Sequence, residues 1–340
     1  MEKGIYVKDI MPPCEAGGVF VVSQASQGSS RNGPFWRLCL SDSTGSIEAM
    51  LWPPLSEGIA CDPTGRIVLA RGRAGIFREQ PQLKLESIEV LAEGSAAALD
   101  PAFFVPAGPN DPAAMFQELQ EICRQEFQHP PWRKFVFSVL GDESLAASFR
   151  LHPAAKSIHH AYTGGLLEHS LGVMRLCLGF CGQYPELDRQ TLLAGALFHD
   201  IGKIREFSGG IANDYTAEGR LFGHLALGVE MMLPYLAQSG LEAHLSEHFR
   251  HLLLSHHGEL AYGAVRQPQT PEAFALHFAD NMDARMAQCR SLFGQTEEAP
   301  AWTPWQRSLD RALFRPLPTP TQPRERKNPR KEECLSLLKA

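Results

Sequence analysis

The chain has 340 residues, 44% hydrophobic and 21% charged, the proportions of a globular protein with room for two domains. Its formal charge of -6 excludes a globally basic nucleic-acid binder, so a polyanion must meet local basic patches or bound cations. The eight cysteines form no C-x-x-C pair, the N-terminus has no apolar leader core, and no apolar stretch reaches bilayer length. Reduced thiols, a cytoplasmic location and no membrane span are therefore expected.

Residues 1–95 carry the signals of short strands. The β-branched run Gly18–Val22 precedes a polar, turn-rich stretch from Ser23 to Gly33, whose Gln27–Gly33 part reads as a hairpin loop. Phe35–Leu40 alternates, Ser41–Ser46 is dense in turn formers, and Ile47–Trp52, Arg66–Arg73 and Gln82–Ile88 resume the strand pattern. Short strands punctuated by Gly, Pro, Asn and Asp predict a small antiparallel barrel. Residues 96–112 look like a linker, with Phe103-Phe104-Val105 as a docking point.

From 113 to 315 the helical period takes over. Met115, Phe116, Leu119, Ile122 and Cys123 form one stripe, and further helices are expected over 131–140, 165–184, 189–199, 223–238, 246–256 and 270–288. Cys177 and Cys181 stand one helical turn apart and are read as core packing. Residues 316–340 form a basic tail (Arg324, Arg326, Lys327, Arg330, Lys331) of solvated character. The fold class is thus multidomain: an N-terminal all-β barrel followed by an all-α domain.

The chemistry lies in the helical half. His169, the adjacent His199-Asp200, His224, the doublet His256-His257 and Asp280 all sit on apolar helices, at their ends or on inward faces. Burying an imidazole and a carboxylate at the end of Thr191–Phe198 costs several kcal/mol unless they are paired, and a metal offsets that cost. Histidine nitrogen with carboxylate oxygen suits Mn2+, Fe2+, Co2+ or Zn2+ better than Mg2+. Divalent metals so held can hold a phosphate diester and make hydroxide at neutral pH.

This order of ligand types is that of the HD-domain metal-dependent phosphohydrolases. The strings His159–His169, His199-Asp-Ile-Gly-Lys203, Tyr215-Thr-Ala-Glu-Gly219, Gly223-His224, Ser255-His-His-Gly258 and Ala279-Asp-Asn-Met-Asp283 resemble the YhaM-type 3′-5′ exoribonucleases. That resemblance covers residues 1 to about 315 and implies an OB-fold before the HD domain. It implies one metal held by His169, His199, Asp200 and Asp280, with Asp200 bridging to a second held by His224, His256 and, less firmly, His257. It further implies manganese as the first choice of metal and single-stranded RNA as substrate, with single-stranded DNA the nearest alternative. Lys203 is then placed to hold a substrate phosphate, with His159 and His160 as further phosphate or leaving-group contacts.

In the barrel, Trp36, Arg37 and Arg73 are the candidate strand contacts, joined by Phe35, Trp52, Phe77, Arg71, Arg78 and Lys84. The competing functions are another phosphoester hydrolase on the same metals, acting on cyclic dinucleotides or nucleotides, and a noncatalytic RNA-binding module. The intact ligand set opposes the second of these.

Overall fold

The structure is a computed structural model that describes residues 2–78, 80–106, 108–155, 162–209, 213–294 and 301–317. His159, His160 and the basic cluster of the tail lie outside the described residues. The chain divides into two compact units, residues 1–288 and 289–340.

Five strands open the first unit: β1 (Cys14–Ser30), β2 (Gly33–Asp42), β3 (Gly45–Leu51), β4 (Ile67–Phe77) and β5 (Gln80–Val90). They close into a barrel in the order β1-β2-β3-β5-β4, with β4 returning to pair with β1 and β3 pairing in parallel with β5. That is the Greek-key closure of an OB barrel. Alternation along the strands fills its interior with Phe20, Val22, Leu38, Leu40, Leu51, Val68 and Leu83. The stretch read as a hairpin loop is instead strand: β1 continues to Ser30 and only Arg31 and Asn32 turn. Every residue from Gln24 to Ser30 finds a register partner on β2, so backbone pairing overrides the low strand propensity of Gln, Ser and Gly.

After the barrel, the helix α1 (Glu93–Ala97) and the turn Pro101–Phe103 bring Leu99 and Phe104 against Val19, Val21, Ile67 and Leu91. The helices α2 (Pro112–Glu126), α3 (Pro130–Leu140), α4 (Glu143–Leu151), α5 (Gly165–Gln183) and α6 (Arg189–Phe198) follow. Then come a single turn α7 (Lys203–Glu206), α8 (Ala217–Ser239), α9 (Ala243–Ser255) and α10 (Pro271–Phe293). α4, which is not among the helices expected from periodicity, is a short helix started by Asp142, whose side chain accepts from Leu145 N–H. α8 begins at Ala217 rather than at the expected Gly223: Thr216 caps it by accepting from Gly219 N–H, and the helix runs through a break at Gly223.

α6 is buried on all sides from Thr191 to Phe198 and forms the axis of the helical core, as its uninterrupted apolar run demands. Trp132, Phe135, Phe198 and Phe249 interlock edge-to-face beside it, with centroids 5.2–6.0 Å apart. Cys177 is buried in that core and Cys181 packs against it. No helix of the described residues is long and apolar enough to cross a membrane. In the second unit, the short strands β6 (Ala301–Trp302) and β7 (Phe314–Arg315) pair as a hairpin.

Candidate metal centre

Five helix segments deliver the candidate ligands to one place. Gly164, in the left-handed region at φ 82°, lets α5 begin abruptly, and one turn later His169 points into the core. α6 ends at Phe198, so His199 and Asp200 sit at its buried C-terminus. α8 breaks at Gly223 (φ 70°, ψ 161°), a conformation that only glycine adopts readily, and His224 follows directly. α9 ends at Ser255 and leaves His256 and His257 on its last turn. α10 carries Asp280 and, three residues on, Asp283. A Cβ on Gly202 would stand 2.0 Å from the carbonyl oxygen of His224, so the glycine after the His-Asp pair sets the approach of α8.

Asp200 is the centre of the arrangement. Its Oδ2 lies 3.5 Å from His169 Nε2, 3.4 Å from His199 Nε2 and 2.7 Å from Lys203 Nζ. Its Oδ1 faces the other way, 3.5 Å from His224 Nε2 and 3.7 Å from His256 Nε2. Asp280 Oδ1 closes the first group at 3.1 Å from His169 Nε2, and His257 Nε2 closes the second at 3.1 Å from His224 Nε2. Two nests of donors therefore flank one carboxylate.

Each imidazole is held by its far nitrogen. Nδ1 of His199, His256 and His257 lies against the carbonyls of Ala196, Leu253 and Tyr262 at 3.0, 2.9 and 3.0 Å. Nδ1 of His169 lies 2.8 Å from Asp283 Oδ2, and Nδ1 of His224 lies 3.0 Å from Glu206 Oε2. All five Nε2 atoms consequently point into the cluster.

The electrostatics are those of a buried charged site. Burial works against ionisation of Asp200, yet Lys203 and the surrounding histidines hold its carboxyl well below the usual range. Asp280 is likewise lowered, its burial outweighed by His169 and His199. Burial opposes the charge on His169 too, but Asp280 and Asp283 raise it to about 10. His256 goes the other way: burial lowers it to about 3, which keeps the ring neutral. Lys203 is half-buried and is raised because Asp200 outweighs the cost of its desolvation.

The residues fit a divalent metal. His256 Nε2 is buried and has no hydrogen-bond partner among the described residues, while its Nδ1 is committed to Leu253; a neutral ring so held turns a lone pair into the cluster. The Nε2 atoms of His169 and His199 stand 3.2 Å apart, and those of His224 and His257 stand 3.1 Å apart. Neighbouring donors on one metal with bonds of about 2.1 Å stand about 3.0 Å apart, close to both spacings. Nitrogen and carboxylate oxygen together match the preferences of first-row transition ions.

The structure thus brings His169, His199, Asp200, His224, His256, His257 and Asp280 together, with Lys203 on Asp200. In the barrel the picture differs. Trp36 belongs to the interior, 7% exposed with a buried Nε1, and is corrected from candidate strand contact to core residue. Arg37 projects outward 3.9 Å from Glu48, and Arg73 lies between Glu15 and Glu86 at 3.6 and 3.1 Å. The exposed aromatic surface is made by Trp52, packed at a tilt of 33° against Phe35 with ring centroids 4.8 Å apart, and by Phe77 with Arg78 over its ring. Two further residues stand at the site without a role expected from sequence: Glu206, three after Lys203, and Asp283, three after Asp280 and the last residue of its motif. Helical spacing was the available signal, since both stand one turn from a site residue on the same side.

A model of the HD domain family matches residues 166–285, the segment that carries all seven clustered residues. A protein of Bacillus velezensis named 3′-5′ exoribonuclease YhaM is 31% identical over 287 residues, covering 84% of this chain and 89% of its own. Its namesakes in Halalkalibacterium halodurans and Bacillus subtilis are 32% and 31% identical, each over 84% of this chain and 88% and 89% of their own. Among solved structures, the second OB-fold domain of replication protein A from Methanococcus maripaludis is 20% identical over 28% of this chain and 98% of its own, with a TM-score of 0.23. The barrel's assignment rests on its own strand order. With its ligand cluster inside the HD match and its relatives spanned nearly end to end, the chain belongs to the family of YhaM 3′-5′ exoribonucleases.

Proposed function

We propose that this protein is a metal-dependent 3′-5′ exoribonuclease that hydrolyses single-stranded RNA to nucleoside 5′-monophosphates. The observation that carries the reading is the placement of Asp200, whose two carboxylate oxygens each face a separate histidine nest. His169, His199 and Asp280 with Asp200 would hold one divalent metal; His224, His256 and His257 with the other oxygen of Asp200 would hold a second. Such metals, when bound, supply a water acidic enough to attack as hydroxide and neutralise charge on the phosphoryl oxygens. Manganese is the first choice.

The chain's own residues do the rest. Lys203 places a cationic Nζ beside Asp200, where a scissile phosphate would be held as the cluster receives it. The buried rings, anchored at Nδ1, need no reorganisation when charge develops. The barrel would hold the strand upstream of its 3′ end, through Trp52 and Phe35 for stacking and through the arginines for phosphate. The name shared by the relatives supports RNA as the substrate.

With Mn2+ present, the purified protein should shorten 5′-labelled single-stranded RNA stepwise from its 3′ end, and Asp200→Ala should not. Release of internal fragments, or equal activity of the variant, would refute the reading. The same assay on single-stranded DNA and on cyclic dinucleotides ranks the substrates.

A further inference from the structure

Three of the five clustered imidazoles donate Nδ1–H to backbone carbonyls, and two are held by carboxylates. The two are His169 and His224, and they fall in different nests. A carboxylate partner fixes the ring as a backbone carbonyl does, and it also adds negative charge and makes the opposite nitrogen a stronger donor. The fold takes specific steps to provide each of them.

Glu206 is buried, 7% exposed, on the single turn that follows the His-Asp pair. Its Oε1 accepts from the backbone N–H of His224 at 3.2 Å and stands 3.1 Å from Nδ1 of the same residue. The helix break at Gly223 is what frees that N–H from the α8 ladder. Gly219 completes the seat, since a Cβ there would stand 2.2 Å from the carbonyl oxygen of Glu206. On the other side, Asp283 reaches His169 across α5 at Gly172. A Cβ on Gly172 would come within 2.5 Å of Asp283 Oδ1. Glycine thus makes room on both sides, Gly172 for the carboxylate of Asp283 and Gly219 for the main chain of Glu206.

We propose that Glu206 and Asp283 are positioning residues that set the two metal positions independently, Glu206 through His224 and Asp283 through His169. This rests on reading the cluster as a two-metal centre. Neither acid is a catalytic residue: Glu206 stands behind His224 and Asp283 behind His169, while the two oxygens of Asp200 face both nests.

The test uses the full chain, stripped of metal and titrated with Mn2+ by calorimetry, with bound metal counted by elemental analysis and folding checked by circular dichroism. The wild type should take up two ions. Glu206→Gln should weaken one ion by about 10–100-fold and leave the other unchanged, and Asp283→Asn should weaken the other ion by a similar factor. Gly172→Ala should reproduce the Asp283→Asn pattern without altering any acid. In a His224→Ala background, Glu206→Gln should add no further loss while Asp283→Asn still does, because the coupling runs through that one ring. Equal weakening of both ions by either variant, or a Glu206→Gln effect that persists without His224, would overturn the proposal. A wild type that binds fewer than two ions would overturn the two-metal reading itself, and that failure shows before any variant is made.

Discussion

A single residue can be judged by what it would cost in isolation. Lys203 puts a charged nitrogen 2.7 Å from Asp200 in a half-buried position, where the carboxylate offsets the cost of its desolvation. Lys203→Met should lower kcat by about 10²–10³-fold, as measured by steady-state kinetics at saturating Mn2+. A second buried ion pair lies in the barrel: Lys3 Nζ is 3.0 Å from Asp42 Oδ2, with both side chains at most 4% exposed. Lys3 therefore leaves the set of basic residues available to RNA. Burial opposes the charge of Asp42, but hydrogen bonds from Thr44, Val7 and Lys3 hold its carboxyl below the ordinary range. Asp42→Leu should destabilise the fold by about 3–5 kcal/mol in urea, because it strands the Lys3 charge. For Asp42→Asn the loss relative to wild type should be full above about pH 4 and shrink as pH falls through the lowered value, where the native carboxylate also takes up its proton.

At the level of elements, helix ends carry the site. Four of the clustered residues, His199, Asp200, His256 and His257, stand just past helix C-termini, and a fifth, His224, follows the break in α8. Gly223→Ala forces a side chain into a region where it costs about 1–3 kcal/mol, and the helix should relieve the strain by turning His224 away from Glu206. We expect a modest loss of thermal stability with a larger loss of Mn2+ affinity; a loss of stability alone would mean that the kink merely shapes α8. The helices of the core were legible from apolar periodicity, which local burial sets directly. The far end of β1 was not, because Gln24–Ser30 is strand by virtue of its partner β2 rather than of its own side chains. α4 escaped for a related reason: nine residues give too short a stripe to stand out.

Across the whole molecule, metal and fold should be coupled. Ligands from α5, the end of α6, α8, the end of α9 and α10 meet at one point, so bound metal ties together helices distant in sequence. Adding Mn2+ at a hundred times its Kd should stabilise the protein by about 2.7 kcal/mol for each site, and chelation should reverse the accompanying rise in Tm. With the proposed strand contact at Trp52, Trp52→Ala should raise KM for long RNA by the loss of about 1–3 kcal/mol of stacking, with kcat for a dinucleotide unchanged. The kinds of ligand, their order and their apolar setting are properties of the sequence by itself, because ligand chemistry resides in residue type and the helical period announces inward faces. Which oxygen of Asp200 faces which histidines, that Trp36 fills the barrel, and that Glu206 and Asp283 stand behind His224 and His169 are decided only by tertiary packing. Those relations depend on where separate helices and strands come to rest against one another, and spacing along one chain segment carries no record of that.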